Sequence, residues 1–190
     1  MMRILFAVLG VLIVGAITFC FWPIQKDIYR DKYVVAGEVR RPINAFAAHL
    51  STAKYLTIYG KKYVSVRGSP PYYLEIPKLN SILFVTENPK HQVTFHIVNL
   101  QTKESIEIDG EGSGFGGDIG SGQTPGDRYT DWIDSVNSNT ITLATRSDEL
   151  KVFTVLNLTT KLLERTEVLY FDKNGAVTNH MIYVKGERVK

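Results

Sequence analysis

A group of carboxylates around a glycine-rich stretch is the part of this sequence whose residue types could do chemistry. Residues 110–126, GEGSGFGGDIGSGQTPG, contain eight of the chain's fifteen glycines. Asp109 and Glu111 stand at positions 1 and 3 of an EF-hand-like spacing, and Asp118 supplies a further carboxylate. Oxygen ligands are those that Ca²⁺ prefers. These three residues are therefore candidate calcium ligands.

Two departures weaken any ligand-binding interpretation of this stretch. Position 12 of the EF-hand spacing is Gly120, where calcium needs a bidentate glutamate. Residues 112–117 match the spacing G-x-G-x-x-G, but no helical pattern follows to receive a pyrophosphate. The composition favours a surface loop over a nucleotide site, and we expect no cofactor, with calcium as the open alternative.

A second set of residues points to binding rather than catalysis. In the segment from Tyr129 to Asp134, YTDWID, a predicted strand places Trp132 and Asp134 on one face and Tyr129 and Asp131 on the other. An exposed tryptophan beside carboxylates suits a protein or sugar contact, whereas a core tryptophan with aspartates at the rim is the plainer interpretation. The candidate binding residues are these four and two from the glycine-rich stretch: Tyr129, Asp131, Trp132, Asp134, Phe115 and Asp118.

Nucleophilic and metal-assisted catalysis lack their usual patterns. No serine in the glycine-rich stretch has the G-x-S-x-G spacing, and the four histidines are dispersed. His96 lies on a predicted strand and is expected on its solvent face. The only cysteine, Cys20, lies in an apolar stretch, so the domain has neither a disulfide framework nor a thiol nucleophile.

The element that precedes all these residues is an apolar segment, Ile4–Trp22. It has nineteen residues and no charge, and a helix of that length spans roughly 28 Å, close to the thickness of a bilayer's hydrocarbon core. We expect residues 1–22 to be an uncleaved single-pass transmembrane anchor or signal sequence, in preference to a cleaved signal peptide or a lipoprotein. Residues 23–32 are predicted to be a juxtamembrane linker, and residues 33–190 a β-rich globular domain.

The side of the membrane on which the domain lies is indicated less directly. Basic residues after the segment outnumber Arg3, which by the positive-inside rule favours a cytoplasmic domain: Lys26, Arg30, Lys32, Arg40 and Arg41. Large domains translocate despite such charges, and an amino-terminal arginine before an apolar run is typical of exported anchors. We expect a membrane protein with an extracytoplasmic domain. With 22 basic and 19 acidic residues interleaved, the chain has no nucleic-acid footprint.

The domain is predicted to be mainly β. One helix-like run, Pro42–Ala53, has apolar residues at three- and four-residue spacings. From Tyr55 onward the apolar pattern has period two, in short runs separated by turn residues, and the last four runs predict strands over residues 140–146, 150–157, 162–171 and 177–184. The fold class is therefore antiparallel sheets with one short helix after the transmembrane segment.

An internal repeat organises these strands. Residues 95–103, FHIVNLQTK, match residues 153–161, FTVLNLTTK, at an offset of 58. Without the glycine-rich stretch the period is about 41 residues, the length of one four-stranded propeller blade. The two units resemble β-propeller-type blades, whose outer hairpins carry similar Asn-Leu-x-Thr turns. Two such units do not close a ring, so the sequence leaves a sandwich or an open part-propeller, and we favour the sandwich.

The function expected from these features is non-enzymatic. A membrane-anchored β domain without a catalytic pattern indicates a module that binds a protein or another envelope component. Its partners would be the bilayer, through residues 4–22, and that component. The alternative is a carboxylate-based or calcium-assisted hydrolase that acts at the envelope and uses Asp109, Glu111, Asp118, Asp131 and Asp134.

Overall fold

The computed structural model describes residue 10 and residues 24–42, 50–68, 70–90, 92–110, 130–146, 150–184 and 187–190. Within these residues, helical structure is confined to Gly10 and to one 3-10 turn, Pro77–Leu79. None of the described residues forms a helix long and apolar enough to cross a membrane. The expected anchor, Ile4–Trp22, lies outside the described residues apart from Gly10.

The first sheet is an antiparallel meander in the order β1-β2-β3-β4. Its strands are β1 Ile24–Arg30, β2 Val34–Pro42, β3 Leu50–Ile58 and β4 Lys61–Val64. Gly37 lies directly opposite Tyr55, whose ring crosses it. A Cβ atom on Gly37 would come 2.5 Å from the Tyr55 hydroxyl oxygen, so this cross-strand pair requires glycine.

Two expectations for this region are corrected. The predicted helix Pro42–Ala53 is wrong where the structure describes it, because Leu50–Ala53 belong to β3 and Pro42 pairs with Leu50; residues 43–49 lie outside the described residues. β2 and β3 pair over nine residues, so the backbone of this segment makes its hydrogen bonds across the sheet. A short isolated helix would have to make them within itself, which is marginal in water. The predicted linker contains β1, since Ile24 pairs with Arg40.

The middle meander follows, in the order β5-β6-β7-β8. Its strands are β5 Leu74–Ile76, β6 Ser81–Glu87, β7 Val93–Asn99 and β8 Ser105–Asp109. It joins the first sheet through an antiparallel bridge between Val66 and Thr86. Ten of the fourteen residues of β6 and β7 are buried and the other four are half-buried, so this meander is covered on both faces.

The last meander is paired in the order β12-β11-β10-β9, and β13 and β14 extend it beyond β12. Its strands are β9 Thr130–Val136, β10 Thr140–Arg146, β11 Leu150–Asn157, β12 Leu162–Phe171, β13 Val177–Val184 and β14 Glu187–Arg188. A single parallel pair, Leu162 with Asp109, connects it to β8. The free edges β5 and β9 also approach each other, so the large sheet curls almost closed.

Two hydrophobic cores hold the three layers together. One core lies between the first sheet and the middle meander, and includes Leu56, Tyr63 and Phe84. The other lies between the middle and last meanders, and includes Phe95 and Leu143. The chain is therefore mainly β, as the sequence predicted, with antiparallel meanders stacked face to face.

The internal repeat is confirmed in its turns. The side-chain oxygen of Asn99 accepts hydrogen bonds from the amides of residues 101 and 102, and that of Asn157 accepts them from residues 159 and 160, all at 2.8–2.9 Å. Lys103 and Lys161 both adopt positive φ, at 65° and 56°. The two turns thus share side-chain chemistry and backbone conformation.

The internal repeat predicts that Phe95 and Phe153 occupy equivalent buried places, and the structure confirms this burial only for Phe95. Phe95 is fully buried in the core between the middle and last meanders. Phe153 is half-buried, and because side chains alternate along β11 it lies on the face opposite to buried Thr154 and Leu156. Each ring thus occupies the same position in its repeat. Only Phe95 has a following meander to pack against.

Candidate functional site

The predicted carboxylate site is described only in part. Asp109 is exposed at the end of β8, and Asp134 is exposed on β9. Asp134 is the extra residue of a β-bulge, because Ser135 pairs with Thr142 and Ile133 with Leu143. The bulge breaks the alternation from which we expected Trp132 and Asp134 to share a face.

The other predicted site residues lie wholly or partly outside the description. Phe115, Asp118, Tyr129 and Glu111 are not among the described residues, and for Asp131 and Trp132 only the backbone is described, opposite residues 145 and 144. Within the described part of the chain, no three histidine, cysteine, aspartate or glutamate side chains are grouped to hold a metal ion. The predicted binding and calcium sites remain predictions.

A cleft of about 460 Å³ lies instead between the first sheet and the middle meander. Its lining comes from the β1–β2 turn, the start of β5, the 3-10 turn, β6 and the β7–β8 turn, and includes Asp31, Tyr33, Tyr73, Glu75, Ile82 and Leu100. We call it the tyrosine cleft. Aromatic and aliphatic walls with a few fixed polar groups are typical of ligand and peptide sites.

Asp31 is the polar centre of the tyrosine cleft. Its Oδ1 accepts hydrogen bonds from the amides of Tyr33 and Val34, both at 2.7 Å. Its Oδ2 accepts from the hydroxyls of Tyr73 at 3.0 Å and Tyr29 at 3.3 Å. The two phenol oxygens are themselves 3.2 Å apart. All these donors come from within the chain, so the carboxylate closes the β1–β2 turn and ties it to β5.

The protons of this group are fixed by their surroundings. Burial alone would raise the pKa of the Asp31 carboxyl, but the two amides and two phenols that donate to it outweigh burial, and the pKa lies below its ordinary value. Burial, followed by the contacts with Tyr29 and Asp31, raises the pKa of Tyr73. The phenol therefore keeps its proton and the carboxylate stays ionised. Neither is suited to exchange protons near neutral pH.

One wall of the cleft continues into a row in which two tyrosine rings lie between two lysine side chains: Lys32, Tyr33, Tyr59 and Lys103. We call it the lysine–tyrosine row. The two tyrosine rings are in contact, with centroids 5.6 Å apart. The ammonium of Lys32 lies 4.8 Å from the Tyr33 centroid, and that of Lys103 lies 5.3 Å from the Tyr59 centroid. Each cation is thus held on a ring face.

Tyr59 occupies this position at a backbone cost. It forms a two-residue turn with Gly60 between β3 and β4, and both have positive φ, at 50° and 82°. Positive φ is rare for a bulky side chain. The Tyr59 hydroxyl donates to the carbonyl of Leu100, which also lines the cleft. This bond and the contact with Tyr33 hold the strained residue, as is common at functional sites.

Sequence reasoning missed this site because its members are far apart in the chain. Asp31 and Tyr73 are 42 residues apart, and Tyr59 and Leu100 are 41 apart. One local signal was present: Tyr59 precedes Gly60 between two alternating runs, a position where asparagine is the favoured residue. His96, expected on a solvent face, is instead 6% exposed in the core between the first sheet and the middle meander.

Comparison with known proteins identifies a fold likeness and no family. The sequence matches no protein-family model and no curated protein. Its structure is similar to the β-propeller domain of the Trilobed protease from Pyrococcus furiosus, with TM-score 0.35 and 10% identity over 88% of this chain and 56% of that chain. It is also similar to acylaminoacyl peptidase, with TM-score 0.34 and 11% identity over 90% of this chain and 32% of that one.

The chain therefore spans about half the length of the first solved chain and about a third of the second. The resemblance of the repeats to propeller-type blades is a fold-level one. At these TM-scores it carries no conclusion on activity.

Proposed function

We propose that this protein is a non-enzymatic binding module that holds a protein segment in the tyrosine cleft. The observation that carries the proposal is the cleft itself, about 460 Å³ between two sheets, with a carboxylate whose hydrogen bonds come from the chain. Polar groups fixed in this way position the walls, and the half-buried ring of Tyr33 offers aromatic surface to a partner. Tyrosine gives large contact area at small entropic cost, which suits protein recognition.

The architecture and location that we propose extend the sequence argument. Of the two architectures that the sequence left open, we propose the open part-propeller over the sandwich favoured above, because three successive meanders are stacked with one core between each neighbouring pair. The segment Ile4–Trp22 anchors the module in a membrane, with the domain on the extracytoplasmic side. The partner is then a component of the same envelope. The bilayer serves as the anchor's environment and not as the ligand of the cleft.

Site-specific photo-crosslinking in the full-length protein tests the proposal. A photoreactive phenylalanine analogue replaces Glu75, which is exposed and lines the cleft, and as a control replaces Glu187, which is exposed on β14. We expect a discrete adduct from position 75 and none from position 187 in membranes of the native host. Equal adducts from both positions, or none from position 75, contradict a binding cleft.

The hydrolase alternative makes a different prediction in the same experiment. It uses Asp109, Glu111, Asp118, Asp131 and Asp134. Of these, Asp109 on β8 and Asp134 on β9 have described side chains. Replacing both by asparagine should leave the adduct at position 75 unchanged if the cleft is the binding site. Loss of the adduct in that variant would favour the hydrolase alternative.

A further inference from the structure

Charges of both signs lie at the mouth of the tyrosine cleft. Asp31 and Glu75 line it, but the Asp31 carboxylate already accepts four hydrogen bonds from the chain. Lys32 also lines the cleft, Lys103 is held beside it on Tyr59, and Lys78 lies in the 3-10 turn that forms another wall. Among the described residues, no carboxylate lies within salt-bridge distance of Lys32 or Lys103. Two cations are therefore placed on aromatic rings without an acidic partner there.

The ring contacts also reduce the entropy that these lysines would lose on binding. A free lysine side chain loses most of its rotamer freedom when a ligand fixes it. Here each ammonium already lies on a ring face, at 4.8 Å for Lys32 and 5.3 Å for Lys103. Pre-ordered cations beside an apolar cleft complement a ligand that carries both carboxylates and apolar side chains.

We infer that the lysine–tyrosine row recognises an acidic polypeptide segment, whose apolar side chains enter the tyrosine cleft while its carboxylates meet Lys32 and Lys103. This inference rests on the proposed binding function of the cleft. A polypeptide fits better than an anionic lipid headgroup because aromatic and aliphatic side chains dominate the walls, among them Tyr33, Ile82 and Leu100.

The turn that carries Tyr59 provides a variant that separates binding from stability. Asparagine before glycine is the favoured pair in a two-residue turn with positive φ at both positions. Tyr59→Asn should therefore keep the hairpin without backbone strain while it removes the ring that holds Lys103. The repeat supplies a matched control, since Lys161 has the same turn position and positive φ as Lys103, in the other unit.

The experiment measures binding of a fluorescent peptide of six Glu-Leu repeats to the full chain in nanodiscs of phosphatidylcholine. We expect the dissociation constant to rise about threefold in Lys32→Gln and in Lys103→Gln, and about tenfold in the double variant. Tyr59→Asn should weaken binding like Lys103→Gln. Because relief of the backbone strain offsets the lost Leu100 bond and Tyr33 contact, its unfolding midpoint should stay within a few degrees of that of the wild type. Lys161→Gln should bind as the wild type does.

Several results would overturn the inference. They are equal binding of a Lys-Leu peptide, unchanged affinity in the double variant, and binding of monomeric dihexanoyl phosphatidylglycerol by a protein that does not bind the Glu-Leu peptide. Glu75→Arg separates the inference from the proposed function. If the peptide lies in the cleft, reversing this charge should strengthen binding; an unchanged affinity, with the Lys32 and Lys103 effects intact, would place the peptide on the row but outside the cleft.

Discussion

The imidazole of His96 is buried where the first sheet meets the middle meander. Its ring stacks on Phe84 at 4.8 Å and meets Tyr63 edge-on at 5.2 Å. Nε2 is 2.8 Å from the Thr86 hydroxyl, and Nδ1 is 3.5 Å from a carboxylate oxygen of Glu107. Burial lowers the pKa of His96 below its ordinary value of 6.5, although Glu107 acts in the opposite direction.

A pH dependence of stability follows from this lowered pKa. In the unfolded chain His96 takes up a proton near its ordinary pKa of 6.5, while the folded imidazole stays neutral to lower pH. The contribution to the free energy of unfolding is therefore fully present above about pH 6.5, and is lost as the pH falls towards the folded pKa, by at most about 1.4 kcal/mol per pH unit.

Urea denaturation at about pH 7.5, 6.5 and 5.5 measures this dependence. The variant His96→Phe keeps an aromatic ring between Phe84 and Tyr63 and removes the titrating group. Its free energy of unfolding should fall less steeply between the two lower pH values than that of the wild type. The same slope in both proteins would show that His96 does not carry the effect.

At the scale of elements, the last meander is the polar end of the stack. In the middle meander, Phe95 and Ile97 pair with Ile108 and Ile106, which are apolar. At the matching positions of the last meander, Phe153 pairs with Glu167 and Val155 pairs with Arg165. Charged residues thus replace isoleucines on the face that no further described sheet covers, as terminal repeats of stacked proteins commonly require.

This difference predicts unequal costs for the two repeat phenylalanines. Phe95→Ala should lower the free energy of unfolding by about 3–5 kcal/mol, because it empties a fully buried position. Phe153→Ala should lower it by about 1 kcal/mol, since the half-exposed ring leaves no closed cavity. Equilibrium unfolding of both variants compares them. Equal losses would mean that something covers the outer face of the last meander in solution.

At the scale of the whole molecule, the apolar segment Ile4–Trp22 predicts that the protein is anchored in a membrane. Because it is uncharged and long enough to cross a bilayer, the full-length protein should stay with the membrane pellet after carbonate extraction. A chain of residues 23–190 should remain in the supernatant and serves as the control. Release of the full-length protein by carbonate, or a mature amino terminus after residue 16, would contradict the anchor.

The sequence by itself determined the features that depend on neighbouring residues. Period-two patterns predicted most strands within one or two residues, and β10, β11, β12 and β13 match their predicted bounds. The Asn-Leu-x-Thr-Lys repeat predicted two equivalent turns, because the asparagine bonds the backbone of its own turn. Such signals are local and need no partner from elsewhere in the chain.

Only the tertiary structure decided which faces are covered and which residues meet. The period-two pattern predicted the same position for Phe95 and Phe153 in their repeats. The structure buries Phe95 between two meanders and leaves Phe153 half-exposed, because no further described meander follows the last one. The strand at β1 and the loss of the predicted helix depend on pairing with β2. In the tyrosine cleft, Asp31 contacts Tyr73, which is 42 residues away in the sequence. A local sequence pattern cannot predict such a contact, because it depends on how the intervening chain folds back.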